Sequence, residues 1–277
     1  MSKIKILVAC HKPCDVISND VYMPIHVGRA VSKYKDEMAH MTGDDTGDNI
    51  SEKNPYYSEL TALYWAWKNL RDVEYIGLCH YRRFFGVDFT CDNIDSFFSD
   101  GTDVLMSASR FCMYNRWNYL KNFVSNDDLA ILQMIVKKLY PDYYITMSRY
   151  ANDYIDHAFN MLVCRFEVFD KYMKWLFDIL FECEKYMKLK YSPYSRARRI
   201  YGYLSEFLMP VWFIHHGLRI KDVPCLNTET QQLICQINWR QRLTRIILKK
   251  IYFRYQNTPL EIERSIATGL KADGIDV

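Results

Sequence analysis

The sequence predicts an α/β fold with an open sheet and an appended C-terminal helix. Three observations carry this prediction. An apolar strand pattern begins within the first ten residues, and strand, loop, helix and strand then follow in order up to residue 80. A late stretch, "NWRQRLTRIILKKIYFRYQN", combines basic and apolar residues and holds no acid. With 277 residues, 49% of them hydrophobic, the chain can bury a full core.

In "KIKILVAC" (residues 3–10), Ile4, Ile6 and Val8 alternate with Lys3, Lys5 and Leu7, which reads as the first strand. It ends at "HKPCD", a turn containing Pro13. Residues 41–55, "MTGDDTGDNISEKNP", form a polar loop. In "YYSELTALYWAWKNLRD", Leu60, Leu63, Tyr64, Trp67 and Leu70 fall on one face at helical spacing. Asn54 suits the N-cap of that helix and Pro55 its first position. "VEYIGLCHYRRFFG" then gives an apolar run, Tyr75 to Cys79, followed by His80, Tyr81, Arg82 and Arg83 with no acid before Asp88.

Further on, "TDVLMSA" reads as a strand and "SNDDLAILQMIVKKLY" as a helix capped by Ser125 or Asn126. "AFNMLVCRFEVFDKYMKWLFDILFECEKYM" reads as a strand, a short turn and a long helix from near Glu167. A basic segment, 185–199, leads into another helix that Gly217 terminates, and "LRIKDVP" reads as a closing strand. The change in composition then suggests a domain over 1–229 and a basic amphipathic extension over 230–277. In a helix near 239–255, Arg240, Arg242, Arg245, Lys249, Lys250 and Arg254 accompany an apolar face of Trp239, Leu243, Ile246, Ile247 and Ile251.

Several classes are disfavoured. A formal charge of +3 makes basic function local, so nucleic acid is not an expected partner despite the basic runs at 185–199 and 240–254. No run reaches the roughly 18–20 apolar residues of a membrane span; the longest is broken by Lys174, Asp178, Glu182 and Glu184. The first residues lack a signal peptide's apolar stretch, so a cytoplasmic location is expected. Nine cysteines without tight pairs suit reduced thiols. A glycine-rich phosphate loop, G-x-S-x-G, H-E-x-x-H and paired C-x-x-C are all missing, which argues against kinase, dehydrogenase, esterase and zinc-hydrolase readings.

In open α/β sheets ligands bind outside the carboxyl ends of the strands. That rule brings together His11, Lys12, the loop 43–54 and the run His80, Tyr81, Arg82 and Arg83. Guanidinium forks at that place suit phosphate oxygens, although they can equally pair with surface acids. Asn49, Asn54, Tyr57 and Ser58 join the same donor-binding set. Asp44, Asp45 and Asp48 could ligate a divalent cation through oxygen, but their spacing is not that of an EF-hand and also suits a solvated turn. Glu59 falls in the first helical turn, where it either faces the pocket or favours the helix dipole. Glu206, an isolated acid among apolar residues, is either a base toward an acceptor hydroxyl or the partner of an arginine within 196–199. Tyr201 and Tyr203 can support a sugar ring; His157 and Asn160 can hydrogen-bond one.

"GDDTGDNISEKNPYYSELTALYWAWKN" followed by "YIGLCHYRRFF" resembles a bacterial family of capsular or exopolysaccharide biosynthesis proteins, over about residues 3–229. The resemblance implies a glycosyltransferase, with galactofuranose transfer from UDP as the associated activity. The layout is also similar to GT-A transferases, which implies a mixed, mostly parallel sheet in a Rossmann-type domain. Where such enzymes carry D-x-D, this chain has His80, Tyr81 and Arg82, and Ala62 stands where an arginine is usual. A His-Tyr-Arg-Arg end cannot hold the ion that D-x-D holds, but it supplies positive charge directly. No cofactor is therefore required on this reading, with Mn²⁺ or Mg²⁺ at Asp44, Asp45 and Asp48 as the alternative.

The expected reaction joins a sugar from a UDP-sugar to a glycan acceptor; if it inverts the anomeric centre, one carboxylate must deprotonate the acceptor, with Glu206 and Glu59 as the candidates and Asp48 third. Capsule-type assembly on a lipid carrier implies a lipid-linked acceptor and peripheral contact with the inner face of the plasma membrane through 239–255. A non-catalytic carbohydrate-binding or scaffold protein of a polysaccharide cluster is the competing expectation.

Overall fold

The computed structural model describes residues 2–187, 198–234, 237–251 and 259–276. The chain divides into two compact units: Met1–Arg110 with His157–Met173 and Gly217–Gln236, and Phe111–Asp156 with Lys174–His216 and Ile237–Val277. This division differs from a boundary at 229. The chain leaves the first unit after Arg110, returns at His157 and returns again at Gly217, so composition along the sequence does not mark the units.

The first unit is built on a mixed α/β sheet. Its strands are β1 (Ser2–Cys10), β2 (Tyr22–His26), β3 (Thr42–Gly43), β4 (Val73–His80), β5 (Arg83–Phe85) and β6 (Val104–Ser107). Two short strands, β7 (Arg110–Phe111) and β8 (Ile155–Asp156), lie where the chain crosses between units. Then come β9 (Leu162–Arg165), β10 (Ile220–Val223), β11 (Cys225–Asn227) and β12 (Gln232–Ile234). The main order is β10-β6-β9-β4-β1-β2-β3, and β5, β11 and β12 form a side arm. All neighbours along the main path are parallel except β9, which runs antiparallel to both β4 and β6.

β1 is central, and Leu7 and Ala9 are as buried as Ile6 and Val8. That two-sided burial is why "ILVAC" reads as a continuous apolar run rather than a clean alternation. On one face Ile4, Ile6, Val8 and Cys10 pack with Tyr75, Cys79, Leu105 and Val163 in the unit's core. Gly77 on β4 lies at the closest approach: a Cβ there would stand 2.8 Å from Val163 Cγ2 and 2.9 Å from the Leu162 carbonyl. Gly77→Ala is therefore expected to cost about 1–3 kcal/mol by overpacking, read as a lowered Cm in urea at unchanged m.

The helix expected from residue 55 onward is broken. α1 (Asn54–Tyr57) and α2 (Leu60–Asn69) are separated at Ser58, whose φ of 52° lies in the left-handed region. Asn54 does not cap the start as expected; Lys53 occupies that place. The Asn54 amide instead donates to the Ser58 carbonyl at 2.8 Å and to Thr61 Oγ1 at 3.2 Å, which holds the break open. α3 (Ile94–Phe98) completes the unit's own helices.

The second unit is helical: α4 (Arg116–Leu120), α5 (Asn126–Leu139), α6 (Tyr143–Ala151), the end of α7 (Phe166–Tyr186), α8 (Ile200–His215), α9 (Trp239–Ile251) and a last helix, Arg264–Ala272. Ser125 caps α5 as expected, accepting from the Asp128 amide at 3.1 Å. α7 starts directly after β9, without the expected turn. Gly217, at φ 64°, follows the end of α8 as expected. The expected helix 239–255 is seen as Trp239–Ile251; 252–255 lie outside the described residues, as do 188–197 of the basic segment. No described helix is long and apolar enough to cross a membrane.

Candidate active site

β1, β2, β4 and β6 end at one edge of the sheet, and antiparallel β9 begins there. The segment 157–161 that leads into β9 therefore meets the exits of the other strands. His80, the last residue of β4, lies 2.7 Å through Nε2 from the Phe159 carbonyl oxygen. Phe159 and Asn160 both take left-handed backbone conformations, at φ 76° and 53°. Asn160 is fully buried, and its amide donates to Glu59 Oε1 at 2.8 Å.

Glu59 itself is 5% exposed and stands at the N-terminal end of α2, just past the break at Ser58. Of the five non-glycine residues with positive φ among those described, Ser58 precedes Glu59 in the chain, and Phe159 and Asn160 are consecutive, with Asn160 bonded to its carboxylate. Such conformations cost roughly 1–3 kcal/mol each and persist where the surroundings enforce them, so their grouping points to a functional centre.

Two guanidinium groups share the Phe159 ring. Arg83 lies 4.1 Å from its centroid and Arg110 5.3 Å. Arg83 has no carboxylate within ion-pair distance among the described residues, and its buried Nε has no hydrogen-bond partner there. Arg82 is placed differently. Its Nε pairs with Glu229 at 2.9 Å, and its guanidinium lies 5.0 Å from the Tyr81 centroid. Arg82 is thus engaged in a partly exposed ion pair, unlike its neighbour. Tyr81 collects the first strand's exit, with His11 edge-on at 5.3 Å and Lys12 at 5.7 Å, and its burial pushes the phenol's pKa up.

A second carboxylate lies at the end of β10. Asp222 accepts at Oδ1 from His157 Nε2 at 2.9 Å, and at Oδ2 from the Ser109 hydroxyl at 2.6 Å and amide at 3.1 Å. Partial burial works against its charge, but these donors outweigh it and hold the carboxyl at about 2. The ionised Asp222 therefore fixes the His157 proton on Nε2. Asp222 remains 43% exposed through its side chain, whereas His157 behind it is buried.

The polar loop does structural work. Asp44 is fully buried; it accepts from the Gly28 and Arg29 amides at 2.7 and 3.0 Å and from the Ser51 hydroxyl at 2.5 Å. Gly28 is required at that turn, with φ 67° and a would-be Cβ 2.5 Å from Asn54 Cγ. Asp45 pairs with Arg29 at 2.8 Å, and Asp48 accepts from Tyr64 at 3.1 Å. Each of the three aspartates is thus engaged by protein donors. Among the described residues no group of three or more His, Cys, Asp or Glu is arranged to hold a metal ion. The Asp48 backbone carbonyl accepts from the Asn69 side-chain amide at 2.9 Å. Asn49 bonds within the loop, to Gly47 and Ser51, and Tyr57 is buried with Lys53 5.9 Å from its ring.

Glu206, Tyr201 and Tyr203 are residues of the second unit. Glu206 is half-buried on α8 and within electrostatic reach of Arg116. Tyr201 is fully buried, and Tyr203 stacks on Phe123 at 4.7 Å. The residues that sequence reading passes over are Ser109, Arg110, Phe159 and Asp222. Arg110 and Asp222 were visible as charges at the ends of "TDVLMSASR" and "LRIKDVP", the same position that singled out His80 to Arg83.

The mixed, mostly parallel sheet matches the Rossmann-like fold of a glycosyltransferase. The chain is similar to the apo structure of the bifunctional glycosyltransferase WbbM, with a TM-score of 0.70 and 26% identity over 85% of this chain. It spans about half of that protein, 47% of its length. Curated proteins yield no match. The chain belongs to the family described as "Domain of unknown function (DUF4422)", whose model matches residues 5–217.

Proposed function

We propose that this chain is a glycosyltransferase that moves a sugar from a UDP-sugar, with UDP-galactofuranose as the first donor to test, onto a lipid-linked glycan in capsular or exopolysaccharide assembly. The observation that carries this reading is the pair Arg83 and Arg110 against Phe159 at the sheet's open edge. Two guanidiniums on one ring, one of them without an acidic partner among the described residues, fit a diphosphate. The WbbM likeness supports the class of reaction.

On this reading, Arg83 and Arg110 stabilise the charge that grows on the diphosphate as the sugar leaves, with His80 beside them. His11, Lys12 and Tyr81 flank the nucleotide. Glu59, oriented by Asn160, is the carboxylate that takes the acceptor's proton, and Asp222 accepts hydrogen bonds from sugar hydroxyls. Because the positive charge is built into the chain, no divalent ion is required. The acceptor sits at the inner face of the plasma membrane, which the chain reaches as a peripheral protein.

A screen of UDP-sugars for protection against heat, each with EDTA and with Mn²⁺, tests this. One or more UDP-sugars should raise Tm equally in both conditions. No shift with any of them would remove the reading in favour of a scaffold protein.

A further inference from the structure

α9 reverses the usual arrangement of a helix packed on a protein core. Its half-buried residues are Gln241, Arg245 and Leu248, at i, i+4 and i+7, which form the face turned toward its own unit. The tie on that face is ionic: Arg245 grips Asp153 with Nε at 3.0 Å and Nη2 at 2.6 Å, a two-pronged pair. The opposite face carries the large apolar side chains. Trp239 is 69% exposed, Leu243 50%, Ile246 52%, Ile247 48% and Ile251 66%. An amphipathic helix that packs on a protein core does the reverse.

Charge says what covers this face. Arg242 is exposed beside the apolar stripe, Arg240 and Lys250 are exposed on it near its two ends, with Arg240 5.3 Å from the Trp239 ring, and the helix holds no acid. A tryptophan at one end, a branched aliphatic stripe and flanking cations match the boundary between acyl chains and anionic headgroups. A purely apolar protein partner would leave these cations unmatched.

We propose that α9 lies flat on an anionic lipid surface, inserting Trp239, Leu243, Ile246, Ile247 and Ile251, while the Arg245–Asp153 pair keeps it attached to the second unit. The inference rests on the lipid-linked acceptor for its purpose, and its test is independent of catalysis. At 13 residues the helix presents about 20 Å of continuous surface, enough to orient the protein on a membrane without spanning it.

The test is co-sedimentation of the full chain with vesicles of phosphatidylcholine alone and of phosphatidylcholine with phosphatidylglycerol, alongside UDP titration of the same samples. The chain should sediment with the anionic vesicles and largely detach in high salt. Replacing Arg240, Arg242 or Lys250 singly with Gln should weaken binding about fivefold each, the equivalent of ~1 kcal/mol per basic residue near the surface. The double variant Ile246→Glu, Ile247→Glu should abolish sedimentation while keeping the heat of UDP binding unchanged. Three results would overturn the proposal: no sedimentation with either vesicle, equal sedimentation of the double variant, or a lipid-free dimer that the double variant disrupts. Loss of UDP binding in the unmodified chain with vesicle binding intact would instead strike the catalytic reading alone.

Discussion

Arg83→Ala is expected to weaken UDP binding about 10- to 100-fold, the loss that goes with one or two hydrogen bonds to a charged group. It should lower kcat by a further 10²–10³, as removal of a donor to developing charge does. The side chain rests on the half-buried Phe159 and has no acid to leave stranded among the described residues, so the fold should survive the change. Arg110→Ala should behave alike, because it serves the same ring. Arg82→Ala is the control. Its guanidinium is committed to Glu229 in a partly exposed pair worth at most about 1 kcal/mol, so UDP affinity should change by less than about fivefold. Calorimetric titration of the three variants with UDP checks the order.

Asp156→Ala is expected to be the most destabilising single change in the second unit, by about 3–5 kcal/mol. Arg116 and Asp156 form an ion pair at 2.9 Å with side chains only 2% and 0% exposed. Arg116 Nε and Nη1 have no hydrogen-bond partner among the described residues, so its paired carboxylate, with Glu206 also within electrostatic reach, offsets much of the desolvation of the guanidinium. Removing it strands a positive charge in the interior. Replacing both residues with apolar side chains of similar volume should cost far less. Urea unfolding of the single and double variants measures the difference, and an Asp156→Ala protein as stable as the parent would show that the pair contributes little.

The elements legible from sequence were those decided locally. β1 and β4 follow from apolar runs, α5 from its Ser125 cap, and the end of α8 from Gly217, each within a few residues of the signal. The break at Ser58 was not legible, because Asn54 and Thr61 make it and Glu59 confirms it through Asn160, 101 positions away. The division of labour between Arg82 and Arg83 was hidden for a similar reason. They are neighbours in sequence, yet one pairs with Glu229 and the other stacks on Phe159. The role of Asp44 in the loop was hidden too: in a polar, turn-rich stretch its buried carboxylate accepts from two amides and a hydroxyl. The location of the cluster at the strand exits was nonetheless readable, since strand order and the rule for open sheets point to His80 and its neighbours.

The claim beneath all of this is that fixed cations of the chain, not a bound ion, meet a nucleotide's diphosphate at the sheet edge. Isothermal titration of the purified protein with UDP in excess EDTA addresses it directly. The account predicts saturable one-to-one binding that fades with salt and collapses in the Arg83→Ala, Arg110→Ala double variant. Absence of heat in EDTA with binding restored by Mn²⁺, or full binding by that double variant, would contradict it.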